Sequence, residues 1–214
     1  MDLFKCPLDE TLPDMPKQAC SFRIGQVVKL VFGIIGSTPP FSETGEPATP
    51  ITAKASWDPL VSATDATKIV VTNYLNNLVV PSTDLIEDGG DTNINRVPEM
   101  VDGGNAQATF NPKDIEPAIR VAMKKLTQFS AIQPGVSELG VMFINADGDI
   151  IHDGTKYWIP VYNLFIGDSD VVAEKGKGNS SIGKFLLLYG WSDNLKKSTP
   201  AFNILASYPA AVTP

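Results

Sequence analysis

The spacing of apolar residues predicts one clear amphipathic helix. Over residues 114–129, apolar side chains recur at intervals of three and four, which places them on one face of an α-helix. These side chains are Ile115, Ile119, Ala122, Leu126 and Phe129. Asp114 and Glu116 lie near the start of the segment and Lys124 and Lys125 near its end, an arrangement that suits the helix dipole. The segment is therefore predicted to be a helix that packs against a sheet.

Most of the remaining apolar residues occur in short runs bounded by glycine, proline or asparagine, the pattern of β-strands. The predicted strands cover residues 26–35, 51–57, 68–74, 78–80, 139–146, 157–166 and 182–189. The Asp147-Gly148 pair follows the fifth run and predicts a hairpin with a type I′ turn, because both residue types tolerate positive φ. A short second helix is expected to begin with Asp58 as its N-cap and Pro59 at its first position.

Long stretches without periodicity interrupt this pattern. Residues 1–24 contain three prolines and are predicted to form an extended N-terminal arm, because each proline removes a backbone donor. Residues 84–110, rich in glycine and aspartate, are predicted to form a long loop within a single β-rich domain that spans residues 25–214. Alternating βα units are missing, so we predict a mostly β (α+β) fold. Its architecture is expected to be an antiparallel sandwich or barrel with one packed amphipathic helix and long extended loops.

Composition narrows the function classes. The 214 residues are 43% hydrophobic and 19% charged, with a net charge of −7. The apolar content is too high for a disordered chain, and the acidic balance argues against a protein that grips nucleic-acid phosphates. The sequence contains no apolar run of the length that a membrane helix needs, so no membrane partner is expected. These features favour a folded, non-membrane protein.

The charges are unevenly distributed. Residues 84–104 contain six acidic residues and a single arginine, whereas residues 171–197 contain five lysines and two acidic residues. Opposite charges on separate segments are what head-to-tail association between copies would use, although scattered solvated loops would give the same pattern. The candidate subunit-interface residues are Asp84, Glu87, Asp88, Asp91, Lys175 and Lys177.

Candidate catalytic and metal-binding chemistry is weak. His152 is the only histidine and is followed by Asp153, but adjacent residues on a strand point to opposite faces, so this carboxylate is poorly placed to orient the imidazole. Asp147 and Asp149 lack the glycine and glutamate positions of a calcium-binding loop. Cys6 and Cys20 lack the C-x-x-C spacing of a zinc site. We therefore predict a protein that is not an enzyme and has no metal or cofactor.

The three tryptophans are Trp57, Trp158 and Trp191. Exposed together, they would form an aromatic platform for a sugar, but each lies beside strand-like sequence, and a core or interface position is the simpler interpretation. A carbohydrate-binding module stays open as an alternative.

Three segments resemble a tailed-bacteriophage virion protein of the kind found in phages of Bacteroides-type hosts. They are Phe4-Lys5-Cys6-Pro7 through Cys20 to residues 25–29, the stretch over residues 57–81 with the Gly/Asp-rich segment after it, and residues 165–168 with residues 189–194. In layout the chain is most similar to tail-tube proteins. This resemblance implies a β-barrel or sandwich with a flanking helix and long arms, assembled as stacked hexameric rings.

The resemblance also implies partners and a location. The expected partners are copies of the same chain in a ring or tube, other virion proteins, and DNA that passes through an acidic channel without specific binding. The expected location is the virion, after assembly in the cytoplasm of the host bacterium. A capsid decoration or head-fibre protein is the alternative within virions.

Overall fold

The fold is known from a computed structural model that describes residues 22–36, 39–43, 48–89, 98–113, 115–130, 138–170 and 178–208. Nearly all of the predicted arm over residues 1–24 lies outside these ranges. In chain order, the elements are β1 (Val27–Ile34), α1 (Lys54–Ser62), β2 (Ile69–Val71), β3 (Leu75–Val79), β4 (Leu85–Gly89), β5 (Pro98–Gly103), β6 (Ala106–Pro112), α2 (Pro117–Leu126) with a 3₁₀ turn (Thr127–Phe129), β7 (Leu139–Asn145), β8 (Ile150–Asp153), β9 (Ile159–Pro160), β10 (Tyr162–Ile166), β11 (Gly183–Leu187), β12 (Leu195–Ser198) and α3 (Ile204–Ser207).

The largest sheet has six strands in the order β12-β8-β7-β1-β2, with β9 also paired to β7. Its centre is the antiparallel pair β1 and β7, whose register runs from Val27 opposite Asn145 to Ile34 opposite Leu139. Both strands are buried along almost their whole length. Continuous apolar runs suit strands that are covered on both faces, which explains why these two were predictable from sequence.

A second sheet has four strands in the order β10-β11-β6-β3, all antiparallel. The prediction of a long loop over residues 84–110 is wrong, because β6 is a core strand and β4 pairs with β5 as a separate two-stranded hairpin. In β6, Ala106, Ala108 and Phe110 are buried, while the residues between them point outward. This is the period-2 alternation of a half-buried strand.

The two larger sheets enclose the first hydrophobic core. It is built from inward-facing residues of both sheets, among them Leu30, Phe32, Phe110, Phe143 and Phe185. The predicted helix over residues 114–129 is present as α2 and its 3₁₀ turn, although α2 begins at Pro117 and Asp114 lies outside the described residues. Ile115, Ile119 and Leu126 of the predicted apolar face pack against this core, whereas Ala122 and Phe129 of the same face are exposed.

The second core covers the other face of the six-stranded sheet. Val31, Met142 and Ile144 of the sheet meet Trp57 of α1 and Ile204 of α3. The predicted strand over residues 51–57 is wrong, and so is a helix start at Asp58. The helix starts at Lys54, after the extended Ala53, and contains Pro59 in its interior. The indole of Trp57 is fully buried and donates its N–H to the Ile51 carbonyl at 2.7 Å, and this anchor favours the earlier start.

The architecture is therefore mostly β, with antiparallel sheets arranged like a sandwich and few helices, as the sequence predicted. Within the described ranges, neither of the larger sheets closes into a barrel.

Candidate interaction surface

The hairpin formed by β4 and β5 is set apart from the two larger sheets. Its strands pair with each other from Leu85 opposite Gly103 to Gly89 opposite Pro98, with a register shift after Ile86. In the part of the chain that the structure describes, neither strand pairs with a strand of another sheet. An isolated two-stranded hairpin is at best marginally stable in water, so this one is a candidate for stabilisation by a partner.

Apolar side chains on the hairpin face solvent. Leu85 is 50% exposed, Ile86 48%, Met100 42% and Val101 37%. Neighbouring residues of a strand point to opposite faces, so both faces of the hairpin carry exposed apolar surface. Clusters of exposed apolar side chains are typical of surfaces that bind another protein.

The base of the hairpin is closed by two contacts. The Gly104 N–H donates to the Asp84 carbonyl at 2.6 Å, which brings the two ends of the hairpin together. The ring of Tyr189 lies against Gly103, where a Cβ would come within 2.1 Å of a ring carbon. Tyr189 is itself 46% exposed. The hairpin thus leaves the sandwich through a narrow junction beside a half-exposed aromatic ring.

Clefts surround this junction. A cleft of about 210 Å³ lies between Asp84, Leu85, Met100 and Tyr189. A neighbouring cleft of about 380 Å³ is lined by residues 80–83 and 189–193. A third, of about 270 Å³, is bounded by Leu78, Val80, Phe143 and Trp191, among others. The hairpin and these clefts form one continuous surface, which we call the hairpin end of the molecule.

The hairpin end carries acidic residues. Asp84 lies at the base and Glu87 on β4, and both are exposed, as are Asp102 on β5 and Asp193 beside the clefts. Asp88 is also on β4, opposite Glu99 in the register. Three predicted interface residues therefore lie on the hairpin or at its base: Glu87 and Asp88 on β4, and Asp84 directly before it. Asp91, Lys175 and Lys177 lie outside the described residues.

His152 is on β8, beside β12, and its side chain is enclosed. It is 3% exposed and stacks on Tyr157, with 5.0 Å between ring centroids. Its Nδ1 lies 2.8 Å from the Asp153 carbonyl oxygen, so Nδ1 carries the proton, and Nε2 accepts from the Ser198 hydroxyl at 2.9 Å. Burial lowers the pKa of His152 and keeps the imidazole neutral.

A serine hydroxyl bonded to a neutral imidazole has the geometry of a nucleophile and its base. Here, however, the ring is closed off from solvent, and the bond links two neighbouring strands of the sheet. The Asp153 carboxylate does not orient the ring. It accepts the backbone N–H groups of Thr155 and Lys156 at 2.8 and 2.7 Å. The arrangement stabilises the edge of the sheet, and no substrate-sized opening leads to the ring among the clefts described above.

The acidic residues near the β7–β8 turn are also engaged within the fold. Asp149 is 6% exposed, and its carboxylate accepts from the Thr199 hydroxyl at 2.6 Å and pairs with Lys197 at 3.1 Å. Hydrogen bonding by Thr199 lowers the pKa of Asp149. Among the residues that the structure describes, no three His, Cys, Asp or Glu side chains are grouped as a metal site would require.

Two of the three tryptophans belong to the core, as the sequence predicted. Trp57 is fully buried, and Trp158 is 4% exposed. The Trp158 side chain lies over Gly33 and Gly140, where an added Cβ would come within 2.3 Å of the indole and within 2.6 Å of the Trp158 Cβ, respectively. Trp191 is half-buried, packs edge-on against Phe143 and lines a cleft at the hairpin end. The structure therefore offers no platform made of all three rings.

The sequence analysis predicted the acidic residues of the hairpin end but not its exposed apolar residues.

Comparison of the chain with protein-family models, curated proteins and solved structures finds no match. None of the helices in the described ranges has the length and apolar character needed to cross a membrane.

Proposed function

We propose that the chain is a non-enzymatic structural subunit of a phage virion, of the tail-tube type. Copies assemble into stacked rings around a channel through which DNA passes, and the assembly is carried in the virion after it forms in the host cytoplasm. The observation that carries this proposal is the hairpin of β4 and β5, which in the described ranges pairs with no strand of the two larger sheets. It exposes Leu85, Ile86, Met100 and Val101.

The energetics of the hairpin support association. Its contacts to the sandwich are concentrated at one end, around Gly103, Gly104 and Tyr189. When a partner covers the exposed apolar side chains of the strands, the complex is stabilised by about 25 cal/mol for each Å² of apolar surface that is buried. A partner also supplies the packing that an isolated hairpin lacks. For a subunit that is repeated many times in a virion, the partner present at the highest concentration is another copy of the same chain.

The residues on the outward face of the four-stranded sheet suit the wall of the proposed DNA channel. Lys184 is the single charged residue of its strands β3, β6, β10 and β11. Its outward positions include the amides of Asn76, Gln107 and Asn163. Away from Lys184, at one end of the sheet, a wall of this composition offers DNA phosphates no array of cations to bind. The acidic residues of the hairpin end add repulsion, so DNA near these surfaces would slide.

The proposal is tested by removing the hairpin. Because Gly104 donates to the Asp84 carbonyl, residues 85–103 can be replaced by an Asn-Gly turn without separating the flanking strands. We expect the full chain to form rings or tubes in electron micrographs and a mass distribution above the monomer in sedimentation velocity. The excised variant should stay monomeric, with an unfolding free energy within about 1 kcal/mol of the full chain.

Point variants supply the matched control. Leu85→Ser with Met100→Ser removes apolar surface from the hairpin, whereas Val121→Ser removes it from α2, where Val121 is 54% exposed. The first variant should weaken assembly and the second should not. The proposal fails if the full chain is monomeric at high concentration, or if the excised variant assembles normally. Sixfold rings favour a tail tube, and threefold particles would instead indicate capsid decoration.

A further inference from the structure

A second exposed apolar surface lies at the other end of the four-stranded sheet. Phe165 on β10 is 56% exposed, and Ile182, just before β11, is 52% exposed. Lys184 is opposite Phe165 in the register, so the two side chains are cross-strand neighbours. Lys113, which follows β6, bridges to Ser180 beside them. We call this surface the basic end, defined by Lys113, Phe165, Ile182 and Lys184.

The charges at the basic end are not neutralised within the described structure. Neither Lys113 nor Lys184 takes part in an ion pair there. The nearby acidic residues are already engaged, since Asp168 pairs with Lys124, and Asp170 accepts from the N–H and hydroxyl of Ser180 at 2.5 and 3.1 Å. Asp168 is therefore neutralised by Lys124, whereas Asp170 keeps its negative charge, and among the described residues Lys113 and Lys184 are two lysines of this end without an ion-pair partner.

A further positive charge lies near the basic end. Lys124, and to a smaller extent Arg120, lower the pKa of Asp168, which places the Arg120 guanidinium close to this carboxylate. Arg120 is half-buried, and its buried Nε has no hydrogen-bond partner among the described residues.

The basic end and the hairpin end lie at opposite ends of the same strands. The register of β11 with β6 runs from Gly183 opposite Phe110, at the basic end, to Leu187 opposite Ala106. Beyond Leu187, Tyr189 packs against Gly103 of the hairpin. The strand from Ile182 to Leu187 is about 17 Å long at ~3.3 Å per residue. The two surfaces therefore face in opposite directions along the sheet.

From this arrangement we infer that the hairpin end of one copy binds the basic end of the next. Both surfaces are apolar at the centre, and their charges are opposite: Asp84, Glu87 and Asp102 against Lys113 and Lys184. This inference rests on the proposed function and names the receptor that the hairpin uses. Because the two surfaces differ, the contact is heterologous and repeats without closing a pair. It therefore adds copies along the strand direction, as stacking requires.

Charge reversal at each end tests the inference. The first variant is Asp84→Lys with Glu87→Lys, and the second is Lys113→Glu with Lys184→Glu. Alone, each variant places like charges on both partner surfaces, so sedimentation velocity should show association at least about tenfold weaker than for the wild-type chain. Mixed in equal amounts, the variants present complementary surfaces at every contact. The mixture should therefore recover assemblies of wild-type size.

A third variant, Lys68→Glu with Lys156→Glu, is the control. It changes the net charge by the same amount as the Lys113 and Lys184 variant, but at exposed lysines away from the four-stranded sheet. It should assemble like the wild-type chain. Circular dichroism and urea unfolding establish that each variant is folded. If the wild-type chain assembles but the Lys113 and Lys184 variant assembles equally well, or if mixing restores nothing, this inference is wrong and the proposed function stands. A wild-type chain that is strictly monomeric contradicts both.

Discussion

At the scale of single residues, His152 shows how a group that invites a catalytic interpretation can serve the fold. Its two ring nitrogens are both used, by the Asp153 carbonyl and the Ser198 hydroxyl, and its face is covered by Tyr157. A neutral imidazole satisfies both bonds, since one nitrogen donates and the other accepts. Protonation would reverse the bond to Ser198, since Nε2 would then donate to the hydroxyl oxygen, and it would place a cation in a buried site.

His152 therefore predicts a pH dependence of stability. Burial lowers the pKa of His152 in the folded protein below its ordinary value of 6.5. As the pH falls through 6.5, the unfolded chain binds a proton that the folded chain does not, so the folded state loses stability. The free energy of unfolding should fall as the pH is lowered from 7 to 5, with a slope of at most about 1.4 kcal/mol per pH unit. Urea unfolding at a series of pH values measures this slope.

His152→Gln is the matching variant, because its amide can also donate and accept. It should remove the slope between pH 7 and pH 5, whatever its effect on stability at pH 7. The sequence contains a single histidine, so few other groups titrate in this window. Asp149 supplies an internal control: its lowered pKa stabilises the fold above the unfolded value of 3.8, and that contribution is lost in both proteins below about pH 4. An unchanged slope would mean that the folded protein accommodates the imidazolium.

At the scale of elements, the β7–β8 hairpin was predicted correctly, but its turn was not. Gly148 has φ of +84°, whereas Asp147 is not in the positive-φ region that a type I′ turn requires. The Gly148 N–H donates to the Asn145 carbonyl at 3.0 Å, and the Asn145 side-chain oxygen accepts from Asp149 at 2.8 Å. The Asn145 N–H also donates to the Asp149 carbonyl at 3.0 Å, so residues 146–148 form a three-residue loop in which one left-handed glycine follows a turn.

The turn predicts a ranking of substitutions at Gly148. Gly148→Val places a β-branched residue at positive φ and should lower the free energy of unfolding by about 1–2 kcal/mol. Gly148→Asn should cost less, because asparagine adopts this conformation more readily. A Cβ at this position meets no atom closer than 3.9 Å, so the difference reports backbone strain and not collision. Chemical unfolding of the two variants measures it, and equal losses would contradict the assignment.

The elements that were predictable from sequence are those whose apolar residues follow the regular spacing of a buried strand or helix face. β1 and β7 are buried on both faces, and α2 is buried on one. β6 was missed because alanine is a weak strand former, although its alternation of Ala106, Ala108 and Phe110 with polar residues was readable. The error over residues 51–57 has a different origin. There Trp57 packs into the second core and fixes a helix that local propensity does not indicate.

The candidate surface was only partly predictable for a related reason. Charge is a property of sequence, so Asp84, Glu87 and Asp88 were identified before the fold was known. Exposure is a property of the tertiary structure, and a segment such as Leu85-Ile86 reads the same whether it is buried or not. For the basic end, the sequence predicted the excess of lysine over residues 171–197, which includes Lys184. It did not predict the contribution of Lys113 and Phe165, because these residues are brought beside Lys184 only by the register of three strands.

At the scale of the whole molecule, the C-terminal segment over residues 203–208 closes the second core. Ile204 is buried there, and Tyr208 stacks on Trp57 with 6.0 Å between centroids and donates its hydroxyl to Asp58 at 2.6 Å. Burial raises the pKa of Tyr208, so it stays protonated and donates. The segment is also held from the sheet side by Lys29 on β1. This lysine is 2% exposed.

Lys29 donates to the Leu205 carbonyl at 2.8 Å and to the Tyr208 carbonyl, and its Nζ lies 4.3 Å from the centre of the Tyr74 ring. Burial lowers the pKa of Lys29, which shows that the charge is held there at a cost. Two opposing effects therefore decide the outcome of Lys29→Met. The substitution removes a buried charge, but it also leaves two carbonyl groups without their donor.

We expect the loss of the donor to dominate, because the partners of Lys29 are carbonyl groups that methionine cannot satisfy. Lys29→Met should lower the free energy of unfolding by about 1–3 kcal/mol and should speed proteolytic cleavage within residues 203–208. Lys68→Met, at an exposed lysine, should change stability by less than about 0.5 kcal/mol. Urea unfolding and limited proteolysis measure both effects. If Lys29→Met is as stable as the wild-type chain, desolvation of the ammonium outweighs its bonds, and the C-terminal segment is held by Ile204 and Tyr208 alone.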